Sequence, residues 1–568
     1  MNPGDRGIVA GKRSALFASE IAGKRSALFA SEIAGKRSAL LASEILALAD
    51  DDNTRDDGRP LVWADTDLGR IRGPFAIVWR DAAGGVHLAR DPLGHRSLYW
   101  ARNDRGELVW GFRLADVLRQ GARRDVDPLG LLTYLATAYV PGEHTLVAGV
   151  RAVPPGVELV FDTPTATPRA NPFWDLPASP PDFDDPETLR QRLRATLDQT
   201  VQRMLPPDPE RAVACTLSGG IDSSLVVALA RQHRPVRTLS IAFGPEHKDE
   251  LAWSSLVARH TGASHEVVVV RPEDVMRHFD ATVGALSEPN GDPLTVPNTM
   301  LFEAARERGH DVLLNGEGGD PCFGGPKNAP LLLSEVYDDP TAQWTRERAY
   351  LRAHQRLWDE RDVLLTAGFQ ARIPEGAVES LVTPWLDDPR WPSFLDRLMA
   401  INIAWKGAGH ILPKVEHLGL RVGVRARSPL FDRDVAALAF AIPSGLKRFG
   451  TIEKHLLKEA VRDLLPAAIL ERPKSGMLVP VEAWFSGPLL RWARERLLDG
   501  LAPRGLVDRG FLERLLDARL GGLRPRRGVK IWLLLTLESW LRQVLDDVPG
   551  GPRDHAGAAR ALGVEQPR

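Results

Sequence analysis

The run from Cys215 to Ser224, Cys-Thr-Leu-Ser-Gly-Gly-Ile-Asp-Ser-Ser, concentrates residue types able to do chemistry. The apolar stretch Ala212–Leu217 reads as a buried strand, and Ser218, Gly219 and Gly220 permit a tight turn after it. Backbone N–H groups left at the start of the next helix form an anion site by geometry and by the helix dipole. Asp222 puts a carboxylate beside that site, which suits an anion only if a cation stands between them. Mg²⁺ bridging phosphates satisfies both. Ser223 and Ser224 add hydroxyl donors. Ser-Gly-Gly alone is an ordinary capped turn, whereas Ser-Gly-Gly-Ile-Asp-Ser-Ser directly after a buried strand reads as a phosphate loop.

The elements around this loop alternate. Helical spacing over Pro186–Leu205 precedes the strand, Ile221–His233 opens the next helix, Val236–Phe243 is a strand, Asp249–Gly262 a helix, and Ser264–Val270 another strand. Such alternation predicts a parallel α/β sheet. From Thr341 onward the pattern is mostly helical. Upstream, Gly73–Phe112 reads as a strand series broken by Gly- and Asn-rich turn signals. Pro128–Pro141 looks helical, and Val150–Asp162 returns to strand. The Pro- and Asp-rich run Asn171–Glu187 reads as the linker. The expected organisation is a repeat-bearing segment 1–50, a front domain 51–178, a larger α/β domain 186–545 and a disordered tail 546–568.

Composition excludes several classes. The chain has 568 residues, and its 73 Lys+Arg and 74 Asp+Glu leave a net charge of -1. No electrostatic case for nucleic acid or a membrane surface follows. No apolar run suits a transmembrane helix, and the start lacks the order of a signal peptide. The two cysteines, Cys215 and Cys322, fit no disulfide framework or metal spacing. These features predict a soluble, cytoplasmic protein.

The Cys215–Ser224 stretch resembles the loop of N-type ATP pyrophosphatases, which cleave ATP between the α and β phosphates. Leu313–Gly325 (LLNGEGGDPCFGG), Arg425–Pro443 (RARSPLFDRDVAALAFAIP) and Glu453–Met477 (EKHLLKEAVRDLLPAAILERPKSGM) resemble segments of asparagine synthetases in the same order. The resemblance to that family implies ATP contacts from Leu217, Ser218, Gly219, Gly220, Ile221, Asp222, Ser223 and Ser224, and from Ser240, Ile241 and Gly316. It implies Mg²⁺ ligation by Asp222 and Asp320. Lys474 is placed to neutralise charge developing on the α-phosphate and the leaving pyrophosphate. Glu317 is placed to take a proton from the attacking amine. Lys454 is either a helix-surface lysine or a second phosphate or carboxylate contact. Glu416 is an alternative base or orienting group, and His265 a strand-end packing residue.

Gly73–Asp81, Leu88–Trp100 and Tyr134–Gly156 resemble the family's N-terminal glutaminase domain, an α+β domain of the N-terminal-nucleophile type. That domain begins with Cys directly after Met, whereas Asn2 stands here and no glutamine-pocket segment precedes Gly73. Loss of glutaminase activity is expected, with Arg90, Asp91, Gly94 and Arg96 serving as a buried Arg–Asp network. A member without its own ammonia supply takes its amine elsewhere. β-Lactam synthetases, lasso-peptide macrolactam cyclases and ammonia-using asparagine synthetases are three such kinds, and the cyclase is the favoured one. Lys327 adds a positive charge suited to an acidic or peptidic substrate, and some of the 15 tryptophans would either widen a cavity or pack the core. The expected partners are a carboxylate-bearing small molecule or precursor peptide and a leader-peptide-binding or protease protein. A degenerate, non-catalytic scaffold is the competing class, opposed by intact Asp222, Asp320 and Lys474.

Gly11–Leu46 carries three near-identical copies of a 12-residue unit. Twelve residues advance a helix about 120° beyond whole turns, so its apolar patch spirals and forms no single stripe. The near-identity suits a recent tandem duplication at a tolerant terminus, with a precursor-binding arm as the alternative.

Overall fold

The computed structural model describes residues 45–49, 54–55, 67–81, 83–163, 165–180, 182–247, 250–325, 329–336, 343–473, 476–520 and 526–546, with backbone only at 45–49, 54–55, 329 and 335–336. Lys327, Lys474, residues 11–44 of the repeat and residues 547–568 of the tail lie outside them.

The front region is built on a five-stranded antiparallel sheet in the order Ile45–Ala49, Phe75–Arg80, Val86–Arg90, Val157–Phe161 and Arg169–Pro172. A second antiparallel sheet, Leu108–Gly111, Tyr99–Arg102 and Val150–Ala152, supplies Trp100 and Trp110 against Ala76, Val78, Leu88, Leu159 and Phe161. Ile71, Phe75 and Ile77 pack on the other face with Phe173. Burial on both faces explains why Phe75–Val78 is continuously apolar and does not alternate. The Pro- and Asp-rich linker begins later than expected: its first residues, Asn171 and Pro172, lie in an edge strand. Proline is tolerated there because an edge strand leaves one row of N–H groups unpaired.

Asp185 opens the larger domain by accepting from the N–H groups of Glu187 and Thr188 at the start of helix Pro186–Met204. Five parallel strands follow, in spatial order Ser264–Val269, Val236–Ala242, Val213–Thr216, Val312–Leu314 and Arg425–Arg427. In chain order this is 3-2-1-4-5, a doubly wound sheet whose direction of winding reverses beside Val213–Thr216. The rest is mostly helical, as the sequence predicts, with one short antiparallel pair, Arg448–Phe449 and Ile452–Glu453. It includes a continuous π-helical stretch, Asn402–Ile411, running into helix Leu412–Val422. Trp391, Trp484, Trp532 and Trp540 are fully buried.

The regions meet over hydrogen-bonded polar contacts. Arg90 donates to the Ala408 carbonyl at 3.1 Å, Arg96 donates to Glu416 Oε1 at 2.6 Å, and His95 Nε2 lies 3.0 Å from the Phe431 carbonyl oxygen. Asp91 accepts from the backbone N–H groups of Leu93, His95 and Arg96, while the Arg90 guanidinium donates to the carbonyls of Gly94, Arg96 and Val153, so the turn is buried and hydrogen-bonded but Arg90 is held by carbonyl oxygens and not by the expected pairing with Asp91. No helix among the described residues is long and apolar enough to cross a membrane.

Candidate active site

Loops leaving the C-terminal ends of Val213–Thr216 and Val312–Leu314 share a cavity of about 260 Å³. These neighbouring strands flank the point where the winding reverses, where open α/β sheets hold their ligands. In the first loop the Ser218 N–H donates to Ser223 Oγ at 3.1 Å and the Gly220 N–H to Ser218 Oγ at 3.3 Å. Ser240 Oγ donates to the Leu217 carbonyl. Gly219 adopts φ +74°, and a Cβ there would meet Trp253 Cβ at 2.5 Å. Helix Ile221–His233 starts from Gly220, which has no side chain with which to cap the first turn. The second loop lies directly on that turn: a Cβ on Gly316 would fall 2.4 Å from the Ser223 nitrogen.

Three charged groups converge beside the loops. Lys454 Nζ donates to Asp222 Oδ1 and Oδ2 at 2.7 and 2.6 Å and lies 2.5 Å from Asp320 Oδ1. Its side chain is 1% exposed, so Lys454 is no helix-surface residue. It reaches the site from a left-handed backbone conformation, φ 54°, at the start of helix His455–Ala460. Such a conformation costs a non-glycine residue about 1–2 kcal/mol and persists where surroundings over-determine it. Two carboxylates converging on one cation form the hard-oxygen donor set that Mg²⁺ accepts alongside phosphate oxygens, so these residues fit that ion.

Leu217, Ser218, Gly220, Asp222, Ser223, Ser240, Ile241, Gly316, Glu317 and Asp320 all line the cavity. Gly219 instead packs on Trp253, and Ile221 and Ser224 turn into the interior. The Glu317 N–H donates to Asn315 Oδ1 at 3.0 Å, fixing the second loop. Glu416 stands apart at the domain interface, paired with Arg96. His265 bridges Thr238 Oγ1 at 2.8 Å and Ser254 Oγ at 3.4 Å, a packing role as expected. Among the described residues no tryptophan lines the cavity.

Two contributors escape a linear reading. Arg472 donates to the Gly219 carbonyl at 3.1 Å and to Glu250 Oε1 at 2.6 Å, and stacks over Trp253, clasping the phosphate loop. Its place in Glu-Arg-Pro-Lys-Ser-Gly-Met was the available signal. Lys406, from the π-helical stretch, lines the wall with Ile411 and Val415. Stretches of π-helix recur at functional sites. Burial pushes the thiols of Cys215 and Cys322 well above the usual range, so neither is a nucleophile.

A second cavity of about 30 Å³ lies at the domain interface, lined by Tyr99, His144, Glu288, Lys414 and His417 among others. Burial pushes the Glu288 carboxyl up to about 8. Burial, reinforced by Arg113, Arg96 and Arg90, pushes His417 down to about 3.

Comparison with known proteins matches residues 192–542 to the asparagine synthase family and residues 61–174 to a glutamine amidotransferase domain. A putative glutamine-hydrolyzing asparagine synthetase of Mycobacterium bovis is 29% identical over 514 residues, 84% of this chain and 78% of the relative. A glutamine-hydrolyzing asparagine synthetase of Bacillus subtilis is 23% identical, over 83% of this chain and 77% of its own. An amidase of Penicillium rubens is 25% identical, over 78% and 75%.

Proposed function

For a chain that belongs to the asparagine synthase family, we propose an ATP-dependent, AMP-forming amide ligase, acting as a macrolactam cyclase of the lasso-peptide type. The observation that carries the reading is the meeting of the Ser218–Ser223 loop, the Asp222–Asp320 carboxylate pair and Glu317 on one cavity at the sheet's switch point. The loop receives the polyphosphate. Asp222 and Asp320 would hold Mg²⁺, which when bound neutralises the departing pyrophosphate. A substrate carboxylate attacks the α-phosphorus, giving acyl-adenylate and pyrophosphate. An amine then displaces AMP, and Glu317 accepts its proton.

Arg472 keeps the loop's turn in place, Lys454 holds the two carboxylates together, and Lys474 is assigned the charge on the α-phosphate. In this reading the amine is drawn from the substrate or from solution. Buried, unpaired cysteines suit a cytoplasmic setting. Ammonia-dependent asparagine formation is the second reading; the relatives share its product by name, but are named as glutamine-hydrolyzing.

The test offers aspartate with ammonium, and linear peptides carrying an internal Asp or Glu, and measures pyrophosphate and product mass. The proposal expects pyrophosphate release, abolished by Asp222→Ala, and a peptide product lighter by one water. Aspartate converted to asparagine while every peptide is ignored favours the second reading. No pyrophosphate with any acid overturns both and favours the scaffold.

A further inference from the structure

Asn315 directly follows strand Val312–Leu314, and only half of its side-chain amide has a partner. Its Oδ1 accepts from the Glu317 N–H at 3.0 Å, while its own backbone N–H donates to the Arg427 carbonyl at 2.8 Å. The first bond fixes which way the amide faces, because a backbone N–H must meet the amide oxygen and not its nitrogen. Asn315 is 5% exposed, and among the described residues no acceptor meets its Nδ2 group. A buried donor without a partner destabilises a fold, so one on a cavity wall points to a ligand atom that completes it.

We infer that Asn315 Nδ2 donates to a ribose hydroxyl of the bound nucleotide, making Asn315 the residue that recognises the sugar. The inference rests on the reading of the Ser218–Ser223 loop as the polyphosphate site and adds a contact to the next part of the nucleotide. Register supports the placement. Cys215 pairs with Leu314, so Asn315 stands level with Thr216, which pairs with Leu239. Thr216, Leu239, Leu313 and Asn315 all line the cavity. Leu313 and Asn315, two apart along one extended segment, share a face. The amide therefore belongs to the floor that the strands supply. Its neighbour Gly316 touches the phosphate loop, with a Cβ there falling 2.4 Å from the Ser223 nitrogen. A nucleotide passing from phosphate to sugar meets the floor beside that contact.

Chemistry narrows the acceptor. The phosphate oxygens are charged and fall to the loop amides and to cations, whereas a neutral amide donor suits a neutral oxygen. Ile241, Leu294, Leu301 and Phe302 give the flat base an apolar wall, which leaves the sugar hydroxyls to the amide. Because Asn315 Oδ1 also holds the Glu317 N–H, one side chain joins the sugar to the loop that carries Glu317.

The experiment measures binding to the full chain by calorimetry, with Mg²⁺ and without any acid, using ATP, 2′-deoxy-ATP, 3′-deoxy-ATP and inorganic tripolyphosphate. The wild type is expected to bind at least one of the deoxy nucleotides about tenfold more weakly than ATP, the scale of one hydrogen bond. Asn315→Ser keeps a side-chain oxygen able to accept from the Glu317 N–H but removes the amide donor. It should bind ATP about tenfold more weakly than the wild type, no longer tell that deoxy nucleotide from ATP, and hold tripolyphosphate as the wild type does. If Asn315→Ser does not fold, Asn315→Thr, which keeps the same oxygen, is read instead. Equal wild-type affinity for ATP and both deoxy nucleotides overturns the inference. So does a variant that still discriminates, or one that loses tripolyphosphate in parallel with ATP. The ligase reading stands in each of these cases. A wild type that binds no ATP overturns the reading of the loop and the inference with it.

Discussion

Replacing Lys454 by Met should expose how the two carboxylates are held. The ammonium makes contacts of 2.7, 2.6 and 2.5 Å with Asp222 and Asp320. Lys454 is 1% exposed and Asp222 12%, whereas Asp320 is 28% exposed and its contact is discounted for solvent screening. Breaking a buried ion pair from one side costs about 3–5 kcal/mol, because the other charge is left without a partner. With one arm of the contact partly wet, the lower end, about 3 kcal/mol, is expected. Denaturant unfolding of the protein free of nucleotide measures it. Millimolar Mg²⁺ should recover more stability in Lys454→Met than in the wild type, because the ion then meets two carboxylates with no competing ammonium. A loss under about 1 kcal/mol with the same Mg²⁺ response in both proteins would refute this reasoning.

Other sites give sharper local tests. Gly316→Ala must push the two loops apart, since its Cβ would sit 2.4 Å from the Ser223 nitrogen. Calorimetry should show nucleotide binding lost while unfolding shifts by no more than about 1–3 kcal/mol, the usual cost of overpacking. Arg472→Met frees the Gly219 turn and should weaken ATP binding about tenfold, the equivalent of roughly 1.4 kcal/mol. For His417 the folded-state value lies below the ordinary one, so only the unfolded chain gains a proton as pH falls below about 6.5. Wild-type stability should therefore drop about 2 kcal/mol more than that of His417→Gln between pH 7 and pH 5, a gap that equal pH profiles would disprove.

Local chemistry was the legible part of this chain. The strand, glycine turn and helix of Val213–His233 follow from residue order alone, because each feature is set within a few positions. The parallel sheet followed from the alternation. Contacts closed by distant residues were not legible. Lys454 meets Asp222 across 232 positions, Lys414 meets Asp292 across 122, and Arg96 meets Glu416 across 320. No periodicity encodes such pairings. The left-handed turn at Lys454 was equally hidden, since lysine carries no signal for it. The π-helical stretch Asn402–Ile411 has the composition of an α-helix and differs only in its hydrogen-bond step. The Asn171–Pro172 edge strand was hidden by its proline, which reads as a loop unless the strand is known to be an edge.

Oxygen transfer tests the central claim most directly. With the accepted acid labelled with ¹⁸O in its carboxylate, attack on the α-phosphorus must leave one label in the AMP released when the amide forms. The account predicts ¹⁸O in AMP, unlabelled pyrophosphate, and neither product in Asp222→Ala. Label appearing in inorganic phosphate alongside ADP would contradict it.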